Sequence, residues 1–401
     1  MILLVHPSGN ANVRAVAAAL QRSETLARFL TTLGWSNASG FLRLMPLPVR
    51  KRLARRSYFL PDSKIRTHPS REIARLLGAP VSVDAVWRNL DSVAARYLRS
   101  AYRRDRIRGV YTYEDCAEQT LTTAEELGLR RIYDLPIAYW ETARRLLKEE
   151  AERYPEWEST LGGTRDPAEK LARKTRELEL AELVVCPSNF VLESLPQRIR
   201  ETKPCLVAPF GSPESPRAQA GQSDRSRRAL RVLFAGALTQ RKGLADLFTA
   251  MQLVASENVE LVVMGSLLRP LDWYRQKCPN FTYEPPRPHA GVLALMRTCD
   301  VFVLPSIVEG RALVQQEALA CGLPLIATRN AGADDVILEG ETGFLIPIRS
   351  PEAIAEKINW FAAHPAALSG MANAAQERAR ELTWDKYGQR ILASIQSLLN
   401  K

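Results

Sequence analysis

Two glutamates eight positions apart, Glu309 and Glu317, frame the most chemically pointed stretch of the chain, which runs from Val303 through Pro305, Ser306, Gly310 and Gly322 to Pro324. An apolar run, a loop and the opening of a helix are expected there. In an open α/β sheet, ligands gather outside the carboxyl ends of the strands, and the loop 306–311 sits at such an end. The free amides of a helix start, around Gly310, Arg311, Ala312, Leu313 and Val314, can hold a phosphate. One glutamate in the loop and another two turns along the helix can bracket a ligand lying across that start. Their carboxylates accept hydrogen bonds from hydroxyls, as a sugar requires. Taken alone, two glutamates eight apart are usually solvated surface charges, and a Lys-Gly pair such as Lys242-Gly243 is usually a helix start.

The elements that must position these residues alternate between strand-like and helical patterns along most of the 401 residues. That alternation predicts parallel sheets with helices on both faces. In the second half, strands are expected at 230–236, 259–265, 301–305 and 324–328, and helices at 244–255, 292–298 and 312–321. The first half is expected to hold strands at 2–6, 110–113, 132–133 and 183–187, a long helix from about residue 12 and another at 117–127. Residues 209–228, rich in Pro, Gly, Ser and charge, read as a linker between a domain at 1–208 and one at 229–385. The final helix, 386–401, follows Thr383-Trp384-Asp385 and is a candidate to pack back on the first domain. The fold class expected is α/β, two Rossmann-like doubly wound domains facing across a cleft.

Several motifs together resemble glycosyltransferase family 4, the retaining "glycosyl transferases group 1" of the glycosyltransferase B fold. Glu309 and Glu317 follow a Pro-Ser strand end, and Glu-Ala-Leu-Ala-Cys-Gly-Leu-Pro closes at Pro324. Glu339-Gly-Glu-Thr-Gly343-Phe-Leu-Ile-Pro347 comes next in the family order. Phe234-Ala-Gly236-Ala-Leu-Thr-Gln-Arg241-Lys242-Gly243 fits the family's glycine-ended strand and Lys-Gly pair, and Pro187-Ser188-Asn189-Phe190 and Gly211 fit further positions. The likeness is dense over 183–388 and thinner before.

The resemblance implies roles. Glu317 would bind the nucleotide ribose, and Glu309 would face the donor sugar. Lys242 and Arg241 would neutralise the departing diphosphate, so that cations and a helix dipole stand in for a metal. Gly265 would end a strand beside the nucleotide, and the backbone near Pro285 and Pro286 would flank the base. Gly9 and Asn10, in His6-Pro-Ser-Gly-Asn, would bring backbone close to the diphosphate and acceptor. The chain departs from the family at four places. Ala237 stands where many members carry Arg, and Arg311 and Ala312 stand where they often read Phe-Gly, which would put an extra cation at the pocket mouth. Asp134 replaces the usual N-domain histidine and would orient the sugar or the acceptor. Its other reading is a turn aspartate before Pro136. In a retaining front-face reaction the donor's own phosphate can take the acceptor proton, so the missing histidine does not exclude turnover.

The resemblance thus implies a metal-independent transferase that moves a hexosyl group from a nucleoside-diphosphate sugar to a glycan, lipid-linked or small-molecule acceptor, with no cofactor. Its rivals are a catalytically silent binding module of the same fold, motivated by Asp134 and Ala237, and a basic nucleic-acid-binding protein, which leaves the C-terminal motifs unexplained. Nucleic acid is not an expected partner. The net charge of +11 is concentrated early: residues 43–108 hold 17 basic and 5 acidic side chains, including Arg50, Lys51, Arg52, Arg55 and Arg56. With Val49, Leu53 and the Tyr58-Phe59-Leu60 run between the arginines, that stretch reads as a solvated face or as a contact with anionic membrane. The six cysteines show no metal-ligand spacing, the four histidines form no cluster, and the start lacks a signal pattern. A cytoplasmic protein, peripheral at the inner face of the membrane, is the expected setting.

Overall fold

The structure is a computed structural model that describes residues 1–38, 56–162, 165–214 and 229–400. In its first half the strands are β1 (Ile2–Val5), β2 (Leu26–Thr31), β3 (Trp35–Ser36), β4 (Ser57–Tyr58), β5 (Ile65–Thr67), β6 (Gly109–Tyr113), β7 (Arg130–Asp134), β8 (Leu183–Cys186) and β9 (Cys205–Val207). In the second they are β10 (Leu230–Ala235), β11 (Val259–Met264), β12 (Thr282–Glu284), β13 (Val301–Leu304), β14 (Leu325–Thr328) and β15 (Gly343–Ile346). Strands such as Ile2–Val5 and Val301–Leu304 are apolar at every position because both faces are covered by helices, and both are buried throughout.

Two parallel sheets result. The first has the order β5-β2-β1-β6-β7-β8-β9 and the second β12-β11-β10-β13-β14-β15, with β3 and β4 a separate pair. Each order runs outward from its first strand, then reverses and continues on the other side. The reversal falls between β1 and β6 in one sheet and between β10 and β13 in the other. Loops leaving the carboxyl ends of strands on either side of such a switch point diverge and leave a crevice. The loops that follow β1, β10 and β13 carry Gly9-Asn10, Gly236 to Lys242, and Glu309 to Ala312. The two doubly wound domains are therefore those expected, and each site motif lies at a place where the topology opens.

Two features cross between the halves. The C-terminal helix Trp384–Leu399, capped by the Thr383 hydroxyl, lies on the first helix, Ala11–Arg22. A side chain at Gly388 would run into Ala15 and Ala19, and Arg108 donates to the Leu399 carbonyl at 2.6 Å. The second crossing was not foreseen. Between β7 and β8, the helix Trp140–Arg153 and the turn Pro155–Thr160 reach over to the second domain, where Trp157 is buried in that domain's core beside Phe248, Trp273 and Tyr274.

Strand and helix expectations in the second half fall within a few residues of the observed ends. In the first half the sequence reading did not name β2, β5 or β9, nor the helices Val83–Ala101, Trp140–Arg153 and Ala168–Leu180. β2 escapes because Arg28 interrupts its apolar run, and the helices because charged side chains of both signs interrupt their apolar stripes in the linear sequence. The expected linker falls mainly outside the described residues, as does the basic cluster Arg50 to Arg55; of that cluster only Arg56 is described.

Candidate active site

A cleft of about 580 Å³ is bordered by Asn10, Asn12 and Pro136 from the first domain and by Gly236, Lys242, Glu309 and Glu317 from the second. Backbone contacts set the second-domain backbone beside it, where Gly236 borders the cleft and Gly265 does not. Gly236 (φ 155°) and Gly265 (φ 152°) end β10 and β11, and a side chain on Gly265 would collide with the Gly236 carbonyl. Only glycine suits both positions. A further turn, Gln240–Lys242, is capped by the Thr239 hydroxyl, which accepts from the Arg241 amide at 3.2 Å.

That turn aims two cations at one carboxylate. Lys242 Nζ lies 2.5 Å and Arg241 Nη1 3.0 Å from Glu309 Oε1, and Arg241 also donates to the Val308 carbonyl at 2.9 Å. Burial alone would push the Glu309 carboxyl up, but Lys242 and Arg241 beside it hold it below the usual carboxylate range. Glu309 is thus a charged group inside a cleft wall. The helix Leu313–Ala320 begins a few residues later, with Ala312 at its N-cap and no side chain capping it. Ala312, Leu313 and Val314 border the cleft, so the positive end of the helix faces the same space. Glu317 lies one turn further along. Burial pushes its carboxyl up, against the pull of His289, whose Nε2 is 3.1 Å from Glu317 Oε1. Only the fold brings the start of the His289 helix, at Pro288, against the glutamate helix.

The remaining expected residues are distributed as follows. Asn10 borders the cleft; Gly9 packs against the Tyr58 ring, where a side chain would clash. Gly310 seats on the Pro136 carbonyl and closes the seam between domains, and Ser188 Oγ donates to the Gly310 carbonyl at 2.6 Å. Ser188 and Asn189 therefore work at the seam, Asn189 through Asp334 at 3.0 Å. Pro286 is exposed in the loop after β12 and does not border the cleft.

Two expectations require correction. Arg311 borders the cleft as expected, but its side chain is fully buried and does not stand as a free cation at the pocket mouth. Its guanidinium donates to the Pro187 carbonyl at 2.6 Å and pairs with Asp335, so the interdomain seam consumes the charge. Asp134 was expected to meet the sugar or acceptor, yet it is 1% exposed and absent from the cleft border. It ends β7 on the sheet face that the C-terminal helix covers. Its Oδ2 accepts from the Tyr111 hydroxyl at 2.7 Å. Burial raises its carboxyl to about 7, with the Tyr111 hydrogen bond pulling the other way. His6 is also buried, among Trp87 and Tyr113, with its Nδ1 accepting from the Ser8 amide, and burial together with Arg56 lowers its imidazole to about 3. Asn12, which the sequence reading passed over, lies on the cleft border where Asp134 does not. Its position two residues into a helix that starts at a strand's carboxyl end was the available signal.

Comparison with known proteins gives the following. Residues 218–381 match the family model described as glycosyl transferases group 1. A D-inositol 3-phosphate glycosyltransferase of Corynebacterium glutamicum is 30% identical over 239 residues, 55% of each chain. A protein of the same name from Arthrobacter is 28% identical over 181 residues, 42% of this chain and 43% of that one. The chain spans about half the length of the curated relatives it matches. Among solved structures, sucrose-phosphate synthase of Thermosynechococcus elongatus superposes with a TM-score of 0.68 at 16% identity, covering 100% of this chain and 99% of that one. The Anabaena protein HepE, in complex with UDP-glucose, superposes with a TM-score of 0.60 at 17% identity over 99% of both chains. At such identities the likeness shows the fold, two Rossmann-like domains across a cleft, over the whole described length.

Proposed function

We propose, from a C-terminal half that matches the group 1 glycosyltransferase model, that this protein is a retaining glycosyltransferase of family 4. It moves a hexosyl group from a nucleoside-diphosphate sugar to a glycan, lipid-linked or small-molecule acceptor. The observation that carries the reading is the convergence of Lys242 and Arg241 on Glu309 at the open end of the Leu313–Ala320 helix. A departing diphosphate needs positive charge where its own negative charge grows, and two fixed cations with a helix start supply it without reorganisation. No metal is required for that role. As the diphosphate enters, Lys242 and Arg241 exchange part of their pairing with Glu309 for phosphate oxygens, which frees the Glu309 carboxylate to accept from sugar hydroxyls. Glu317 accepts from the ribose. In the transfer step the bond from the anomeric carbon to the phosphate oxygen breaks and the acceptor oxygen bonds to that carbon from the same face. The acceptor proton passes to the leaving phosphate, which leaves no task for a histidine at position 134.

UDP-glucose is the first donor to try, because the Anabaena neighbour holds it. Purified protein incubated with it in EDTA is expected to release UDP and to yield α-linked product or α-glucose by proton NMR. Release of a β-anomer from the α-donor overturns retention. An absence of turnover with every common nucleotide sugar, alongside intact nucleotide binding, favours the silent binding module.

The acceptor side supports a setting at an anionic membrane, in contact through the region 43–108. Phe59, Ile73, Leu76, Leu77 and Val83 are large apolar residues left exposed, and Ile73, Leu76 and Leu77 share one face of the helix Ser70–Leu76 and its cap. Arg56, Lys64, Arg66, Arg71 and Arg75 lie among them in sequence. Apolar side chains within a basic surface are what an interfacial segment needs. The part of the region at 43–55 lies outside the described residues. Among those described, no helix is long and apolar enough to cross a membrane. Co-sedimentation with vesicles containing phosphatidylglycerol is expected, with loss in Leu76→Glu/Leu77→Glu; equal binding to neutral vesicles contradicts an electrostatic contribution.

A further inference from the structure

The segment that leaves the first domain after β7 and buries Trp157 in the second also touches the turn that carries Arg241 and Lys242. Gln240, immediately before those cations, is wholly buried. Its side-chain amide donates to Glu150 Oε2 at 2.6 Å and to Asp246 Oδ2 at 2.8 Å, and its side-chain oxygen accepts from the Ala245 amide at 2.8 Å. Both amide hydrogens and the amide oxygen are thereby used, which fixes the side chain in one orientation. Two buried carboxylates held by one amide repel each other unless each has a cation. Arg349 of the second domain reaches Glu150 at 2.5 Å, and Arg153 of the crossing segment reaches Asp246 at 2.7 Å. The pairing is reciprocal: each side supplies a cation to the other's carboxylate. The end of the segment grips the same turn from another direction. Thr160 Oγ1 accepts from the Gln240 amide at 3.2 Å, and the Thr160 carbonyl accepts from Thr239 Oγ1 at 2.7 Å.

We propose that residues 140–160 are a bracing arm that sets the Arg241–Lys242 turn, with Glu150, Gln240 and Thr160 as positioning residues for the donor diphosphate. The proposal rests on the reading of that turn as the diphosphate's cation pair. One side of the turn is tied to the loop after β13, where the Ile307 amide donates to the Arg241 carbonyl at 2.9 Å, and the arm holds its other side. Removing one member leaves a buried donor or charge without its partner, and the turn shifts to recover it. A displaced cation weakens contact with phosphate while the ribose and base, held elsewhere, keep theirs. Because the arm belongs by sequence to the first domain, it ties the geometry of the donor wall to the domain that faces the acceptor.

The test compares diphosphate with nucleoside. Isothermal titration of the full chain with UDP, GDP and ADP identifies which binds, and the same base is then titrated as its nucleoside. Glu150→Gln and the isosteric Thr160→Val are each expected to weaken the diphosphate by roughly ten-fold, the size of one charge-assisted hydrogen bond, and to leave the nucleoside within two-fold. If Glu150→Gln does not fold, Thr160→Val, which changes no charge, decides alone. Unchanged diphosphate affinity in the folded variants overturns the arm's role and leaves the proposed function standing. Equal weakening of nucleoside and diphosphate also overturns it, because it marks a general loss of structure. If none of the three diphosphates binds the unaltered protein, the function itself fails and the arm's role with it.

Discussion

Glu309 lies in the loop that borders the cleft and Asp134 at the end of β7 away from that border, and both are largely removed from water, yet their carboxyls shift in opposite directions. Glu309 has Lys242 and Arg241 within 3.0 Å and is held charged. Asp134 has a tyrosine hydroxyl and no cation among its named partners, and burial lifts its carboxyl to about 7. Burial sets a cost on charge in both cases, and only an opposing charge decides which carboxyl can still act as a carboxylate at neutral pH. The second-domain wall is therefore built for charged ligands, whereas the first-domain residues beneath the cleft are built to pack.

The largest expected effect comes from breaking the charged side of this comparison. Lys242→Ala should lower the transfer rate by about 10²–10³-fold, the usual loss when one preorganised charge at a leaving group is removed. Steady-state release of the nucleoside diphosphate reads it, and a loss under ten-fold would move the catalytic charge elsewhere. Next, Glu317→Ala should weaken nucleoside-diphosphate binding by about ten- to a hundred-fold, the range for a hydrogen bond to a charged group, as read by titration calorimetry. A third variant, Gly310→Ala, tests the seam between the walls. Its added carbon overlaps the Pro136 carbonyl, so a stability loss of about 1–3 kcal/mol is expected in chemical denaturation, with nucleotide affinity retained.

The smallest effect sharpens the neutral side. Asp134 has a native value raised from an ordinary 3.8 to about 7, so the native state holds its proton where the unfolded chain has lost it. The stability this gives is fully present below the unfolded value and is lost as pH rises through about 7. Glu114, also raised to about 7, acts with the same sign, so only a difference between proteins isolates Asp134. Asp134→Asn keeps a group that Tyr111 can bond and removes the titration. Its melting temperature relative to the unaltered protein should rise from pH 5 to about pH 7 and level off above it, while turnover at pH 7 changes less than ten-fold. A pH-independent difference would contradict the buried neutral carboxyl, and a large loss of turnover would return Asp134 to the reaction.

The same contrast explains what could be read from the sequence. Glu309, Gly236 and Lys242 sit on short loops and turns after strands, and Glu317 on the helix that follows one, where spacing along the chain fixes spacing in space. Their grouping in one cleft follows from local pattern and sheet order. Asp134 and Arg311 were misread because their surroundings come from distant segments. Tyr111 on the neighbouring strand and the C-terminal helix cover one, and Pro187 and Asp335 capture the other. Glu150 and Trp157 left no trace in the sequence for the same reason: their partners Gln240 and Phe248 lie about 90 positions away. Helix Val83–Ala101 and its neighbours were obscured by arginines on their solvent faces, which mask an apolar stripe in a linear reading.

The most direct test of the account is a thermal-shift series on the purified chain in EDTA with UDP, GDP, ADP and CMP. One nucleoside diphosphate is expected to stabilise the protein with metal removed, and Glu317→Ala to abolish the shift. Stabilisation by none of them, or a shift unaltered in Glu317→Ala, would contradict a donor site on the second-domain wall.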